Sequence, residues 1–172
     1  PSTYAVMEGY NVTFDTDGGK PVEIEAQRVK KNGKATKPAD PTKENFAFGG
    51  WFAESATETF DFNTAVTADT KLTARWNTAV ASITKGEPAV TSYYATVQDA
   101  VNAAESGDTV KLLADVTLEQ RVNVNAEAAK TITIDLNEKT VTPTATCFNG
   151  SAFDIKAGAV EIKNGKIDRA LL

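Results

Sequence analysis

The 172-residue chain has no histidine, one cysteine and one methionine. Without histidine, the imidazole that would activate a serine or cysteine nucleophile is missing. Zinc sites of the Cys/His type are missing for the same reason. The lone Cys147 has no partner for a disulfide within the chain. No stretch approaches the ~18 consecutive apolar residues of a membrane span. Basic excess is lacking too. Lys and Arg number 18 against 23 Asp and Glu, for a net charge of −5. The deficit is shared, with 9 basic and 11 acidic groups in residues 1–76 and 9 and 12 in residues 77–172. Neither half carries the positive footprint of a nucleic-acid binder. Gly18-Gly19 is not followed by a Lys-Thr helix start, so no phosphate-binding loop is present. The sequence begins Pro1-Ser2-Thr3 with no basic and apolar leader, so a signal peptide is expected to be absent, as in a mature fragment.

What is present begins with residues 11–76. Asn11-Val-Thr-Phe-Asp-Thr16 alternates polar and apolar, the period of a half-buried strand. Asp17-Gly18-Gly19 ends it in a turn. A second alternating run is read through Val22, Ile24, Ala26 and Val29 to Lys31, closed by Asn32-Gly33, a hairpin-type turn signal. Pro38 and Pro41 stiffen the next loop. Gly49-Gly50-Trp51-Phe52 reads as a strand whose glycines mark close backbone approach or a bulge. Leu72, Ala74 and Trp76 alternate inward. The expected core is Phe14, Phe48, Trp51, Phe60 or Phe62, Leu72 and Trp76.

The pattern Val12-Thr13-Phe14-Asp15 with Gly18-Gly19, Pro38-x-x-Pro41-Thr42-Lys43, Phe48-x-Gly50-Trp51-Phe52 and Thr70-x-Leu72-x-Ala74-x-Trp76 resembles the Listeria–Bacteroides repeat, the B-repeat of internalin-type surface proteins. The resemblance implies a β-grasp (ubiquitin-like) module and an extracellular, bacterial cell-surface location. Low cysteine use alone suits such a surface and the cytosol equally.

From residue 77 the pattern changes. Val80 to Ile83 and Val90 to Tyr94 are β-prone runs around Lys85-Gly86-Glu87-Pro88, a hairpin signal. Val97, Ala100, Val101 and Ala104 then lie at helical spacing. Thr96-Val-Gln-Asp99 fits a capping box, and Ser106-Gly107 is a helix stop. The expected helix covers 96–105. Beyond it, short β runs recur. Leu112, Ile134 and Ile155 form one column spaced 22 and 21 residues apart, and Leu118, Val141 and Ile162 a second spaced 23 and 21 apart. A shared period with no helix between strands predicts a parallel β-helix. The segments Tyr94 to Val101, Gly107 to Leu113 and Ile132 to Asn137 resemble the start of a pectin-lyase-like right-handed β-helix. That resemblance implies a helix plugging the first coil.

The fold class is therefore mainly β. A β-grasp repeat (1–77) is followed by a linker hairpin (78–94) and the N-terminal coils of a short right-handed parallel β-helix with an N-terminal capping helix (95–172). Trp51 and Trp76 have faces suited to stacking on sugars, but they match positions that recur as core in the repeat. If Ile132, Ile134 and Leu136 point inward, Asp135 points outward, and the assumed period sets Asp135 beside Lys156 and Asp154 beside Thr133. That stack reads as a solvated surface with a cross-strand ion pair, not as converging metal ligands. Arg28, Lys30, Lys31, Lys34 and Lys37 form a basic cluster within an acidic domain. It is either a patch for an anionic ligand or a hairpin tip kept soluble by charge.

No catalytic, cofactor or metal residues are assigned, and no cofactor is expected. The expected function is that of a non-catalytic module of a modular surface protein, for adhesion or structural display. The alternative is a fragment of a secreted polysaccharide lyase or glycoside hydrolase with catalytic coils beyond residue 172. Expected partners are host or wall glycans or a host surface protein, without nucleic acid and without a membrane span. The stretch Val160 to Leu172 has no amphipathic length for a second cap. Phe153, Ile155, Ile162 and Ile167 are therefore expected near an open end prone to fraying or end-to-end self-association.

Overall fold

The computed structural model describes residues 8–124, 130–147 and 150–168. Two compact units are distinguished, one with the chain up to Lys43 and Phe48–Asn77, the other with Glu44–Ala47 and the chain from Thr78 onward.

The first unit is one mixed sheet of β1 (Gly9–Asp15), β2 (Ile24–Lys30), β3 (Phe46–Ala53) and β4 (Thr70–Thr78), in the order β2-β1-β4-β3. β1 runs antiparallel to β2 and parallel to β4, with Phe14 opposite Leu72. Val12, Trp51, Leu72 and Ala74 are buried, and Phe14, Phe48, Phe60, Phe62 and Trp76 pack around them. The rings meet edge to face: Phe14 and Phe48 lie 5.2 and 5.5 Å from Trp51, Phe48 lies 5.6 Å from Trp76, and Phe60 and Phe62 are 5.0 Å apart. Both Phe60 and Phe62 thus join the expected core. Gly50 has φ +115°, and a Cβ there would run into Thr59, so the glycine pair does mark a close approach.

Two expectations for this unit are corrected. The apolar alternation does not run unbroken through β2. Val12 faces Gln27 while Phe14 faces Ile24, so two steps along β1 match three along β2. The extra residue reverses the side-chain parity. Ile24 and Val29 turn inward, whereas Ala26 is exposed and Val22, before the strand, is 80% exposed. Nor do Asn32 and Gly33 join two paired strands. The turn, closed by Gly33 N–H to Lys30 O, ends β2 at the sheet edge. It is tied across to Val66, with Asn32 N–H donating to Val66 O and Val66 N–H to Gly33 O.

The second unit begins with a hairpin of β5 (Ala81–Lys85) and β6 (Val90–Tyr94), residues read above as a linker. β5 also pairs antiparallel with β7 (Thr109–Leu112), so the hairpin forms one edge of a five-stranded sheet. Helix α1 (Val97–Ala103) lies between them in sequence. Thr96 Oγ1 accepts the N–H of Asp99, and Val97, Ala100, Val101 and Ala104 are buried as the spacing predicts. The stop comes earlier than expected. Ala104 leaves the helix in an extended conformation, and Gly107, at φ +93°, shapes the later turn into β7. Lys130 Nζ donates to the carbonyls of Val101 and Ala104, both at 2.9 Å, and supplies the C-terminal partner.

Three parallel ladders follow. β7 pairs with β10 (Thr131–Asp135), which pairs with β13 (Ala159–Lys163). β8 (Val116–Leu118) pairs with β11 (Thr140–Pro143), and β11 with β14 (Lys166–Ile167). β9 (Val122–Val124) pairs with β12 (Phe153–Ile155). Parallel stacking is as expected, but the register differs. Ile134 sits between Val110 and Ile162, not between Leu112 and Ile155. Val141 sits between Val116 and Ile167, not between Leu118 and Ile162. Ile155 lies beside Val124, in another ladder. Ile134 is thus 24 residues after Val110 and 28 before Ile162, while Phe153 is 31 after Val122. Loops at the corners vary in length at little free-energy cost, so a constant period misplaces the strands.

Of the residues expected at the open end, Ile155 and Ile167 are 45% and 40% exposed, and Phe153 and Ile162 are half-buried. Leu171 and Leu172 lie outside the described residues.

Candidate functional site

The five cations of the basic cluster are strung along an edge, not gathered around a cavity. Arg28 and Lys30 share the exposed face of β2, the edge strand. Arg28 Nη1 donates to Asn11 Oδ1 at 3.2 Å. Lys31, in the turn, pairs with Glu8 at 2.8 Å, and Lys37 pairs with Asp40 at 2.7 Å. Lys34 lies close enough to Asp61 to help hold its carboxyl below the usual range, although the N–H of Asn63 is the main cause. Acidic neighbours therefore offset much of the positive charge, and these exposed pairs contribute little to stability.

Lys37 also lines a recess of about 480 Å³ in the first unit, together with Gly50, Trp51, Phe60, Asp61 and Asn63. Trp51 is 1% exposed and held between Phe14 and Phe48, so its ring offers no face to a sugar. Its Nε1 is buried without a hydrogen-bond partner among the described residues. Trp76 is half-buried, donates from Nε1 to Thr16 O at 3.1 Å and lies over Gly19, where a Cβ would strike the ring. Both tryptophans are therefore packing residues.

The larger concavity, about 690 Å³, lies in the second unit between the N-terminal half of α1 and the β8–β9 segment. Its polar groups are engaged by backbone and by neighbouring side chains. Gln98 Oε1 accepts the N–H of Asn123 at 2.7 Å, and Gln98 Nε2 donates to Asn123 O at 2.9 Å. The side-chain amide thus pairs with β9 as a neighbouring strand would. Asp115 accepts the N–H of Thr140 at 2.8 Å. Glu119 accepts from the hydroxyls of Thr144 and Thr146 at 3.3 and 3.4 Å. Sequence reading missed the Gln98 contact, because a glutamine on the polar side of a helix carries no local signal of it.

The neighbours expected for the two strand aspartates are corrected by the register. Asp135 stands between Lys111 and Lys163, not beside Lys156. The N–H of Asn137 chiefly, with Asn164 and the two lysines, holds its carboxyl below the usual range. Asp154 is beside Asn123, not Thr133, with Arg121 and Lys156 at 3.7 and 3.9 Å. Each resolved carboxyl shift among the described residues is downward. Such groups are ionised at neutral pH, whereas a general acid needs a raised value. Among the described residues no three acidic or thiol groups converge as metal ligands, and no helix is long and apolar enough to cross a membrane.

Residues 10–75 match the Listeria-Bacteroides repeat domain. No curated protein and no solved structure matches the chain. The matched stretch coincides with the aromatic-cored sheet and is of a kind typical of extracellular bacterial surface proteins.

Proposed function

We propose that the chain is a non-catalytic module of a modular bacterial cell-surface protein, serving adhesion or structural display. The match of residues 10–75 to the Listeria-Bacteroides repeat carries this reading. On it, the first unit is a β-grasp repeat, supported by the parallel central pair β1–β4 with antiparallel β2 outside it. The second unit is the first coils of a right-handed, pectin-lyase-like parallel β-helix. Three parallel ladders and the burial of the apolar face of α1 support it. Carboxylates that hold turns and neighbouring cations fit display better than acid–base chemistry. Wall or host glycans, or a host surface protein, are the partners to test, with Arg28, Lys30 and Lys34 as the first residues to neutralise.

A glycan array with the purified chain, run beside product-release assays on polygalacturonate and other plant glycans, tests the reading. Binding without product release is expected. Release that disappears in Asp135→Ala or Asp154→Ala would overturn it.

A further inference from the structure

The concavity of about 690 Å³ beside α1 has a size that small ligands occupy, ~300–1,000 Å³. Four of its lining side chains are fixed through one polar atom and keep a second without a partner among the described residues. Asn102 Oδ1 accepts from Gln98 Nε2 at 2.9 Å, which leaves the N–H groups of the Asn102 amide. Asp115 Oδ1 takes the N–H of Thr140, which leaves Oδ2. Glu119 Oε2 takes the hydroxyls of Thr144 and Thr146, which leaves Oε1. Asn123 Nδ2 donates to Arg121 O at 3.3 Å, which leaves Oδ1. The walls are thus held in place before any ligand arrives, so little side-chain freedom is lost on binding.

We propose that this concavity binds a neutral oligosaccharide, whose hydroxyls donate to Asp115, Glu119 and Asn123 and accept from Asn102. The proposal rests on the glycan-binding reading above and gives it a site in the second unit. Among these four side chains the free acceptors outnumber the free donor, so the ligand must mainly donate hydrogen bonds. A hydroxyl donates one and also accepts, which suits both kinds. Charge narrows the class. Two carboxylates line the walls, and Arg121, the one cation among the described lining residues, lies 3.7 Å from Asp154. An anionic ligand is therefore disfavoured. An apolar ligand would strip water from the free polar atoms and replace none of their hydrogen bonds. Val80 and Val116 supply apolar surface for the C–H face of a sugar ring.

Calorimetric titration of the 172-residue chain with neutral oligosaccharides of glucose, galactose, mannose and N-acetylglucosamine, beside oligogalacturonate, tests this. Saturable binding of a neutral ligand, tighter than that of oligogalacturonate, is expected. Asn102→Asp replaces the amide donor with an acceptor of the same shape and should weaken binding about tenfold or more. Thr117→Trp, at an exposed position of the lining, should block the site. Circular dichroism checks that each variant is folded. A chain that binds none of the neutral ligands, or binds oligogalacturonate more tightly, would overturn the proposal. So would binding that ignores both substitutions. If binding is lost instead on replacing Arg28, Lys30 and Lys34 with Ala, the concavity is excluded while surface adhesion stands. Product release from a ligand held in the concavity would overturn the non-catalytic reading and leave the site.

Discussion

The first unit fills its core with rings and the second with branched aliphatic chains. Around Trp51 sit Phe14, Phe48, Phe60, Phe62 and Trp76, so six large side chains, with Val12, Leu72 and Ala74, close a sheet of four strands. In the second unit the buried positions are valine, isoleucine, leucine and alanine, with Cys147, and the aromatic residues Tyr94 and Phe153 lie only at the margin. A small domain buries a smaller fraction of its surface than a large one, so each buried group counts for more, and the loss of one is felt throughout. A stack of ladders adds similar increments strand by strand, and each strand depends mainly on its neighbours. One unit should therefore fail as a whole and the other by degrees.

The largest expected effect breaks the first unit outright. Trp51→Ala should cost about 3–5 kcal/mol, comparable to the ~5 kcal/mol that a marginal domain holds in total. Trp76 remains as the only tryptophan, so its fluorescence reports unfolding of this unit directly. A variant melting at the wild-type temperature would mean that the rings do not form one cooperative core.

The second unit should show a gradient instead. Ile134 is fully buried between Val110 and Ile162, and its replacement by Ala should cost about 2–5 kcal/mol. Ile167 is 40% exposed on the outermost strand, so the same change there should cost below about 1 kcal/mol. Denaturant melts of both variants measure the difference, and equal losses would contradict neighbour-by-neighbour stability.

A smaller effect probes a device that both units share. Gln27 pairs its side-chain amide with the backbone of Thr36, at 2.8 and 2.7 Å, as Gln98 does with Asn123. The contact in the first unit is exposed and that in the second partly buried. Gln98→Ala should therefore cost about 1–2 kcal/mol and Gln27→Ala less than about 1 kcal/mol. The reverse order, read by thermal melts, would show that exposure does not set the value of this contact.

The smallest expected effect is electrostatic. Lys71 pairs with Asp15 in the first unit and Lys85 with Asp108 in the second, at 2.8 Å each. The hydrogen bond from Lys71 lowers the Asp15 carboxyl. For Asp108, burial opposes ionisation, but Lys85 and the N–H of Glu105 outweigh it. Both lysines are raised above 10.5 by the hydrogen bonds to their carboxylate partners. Lowered carboxyl values stabilise the fold above their unfolded value of 3.8, and the gain is lost as pH falls through the lower folded value. The raised lysines contribute below 10.5 and lose their effect above it. Asp108 is 16% exposed against 43% for Asp15. Asp108→Asn should therefore lower the melting temperature more than Asp15→Asn at pH 6, and both differences should shrink as the pH falls below 3.8. A difference that persists in acid would mean that packing, not charge, is responsible.

The sequence by itself determined the local structure. Gly50 beside Trp51, Thr96 before Val97, and the spacing of Val97, Ala100, Val101 and Ala104 each act within a few residues, where sterics and side-chain period leave few choices. The repeat pattern and the aromatic core were legible for that reason, as were the short strands of the second unit. Tertiary structure alone decided which strand lies beside which. The extra residue in β2 turned Ala26 outward, and Val22 lies exposed before the strand begins. Corners of unequal length moved Ile155 beside Val124 and Asp135 between Lys111 and Lys163. Loop length costs little free energy, whereas burying the apolar face of each strand gains much. Pairing is therefore settled by burial and backbone hydrogen bonds across distant segments, and no count of residues along the chain reveals it.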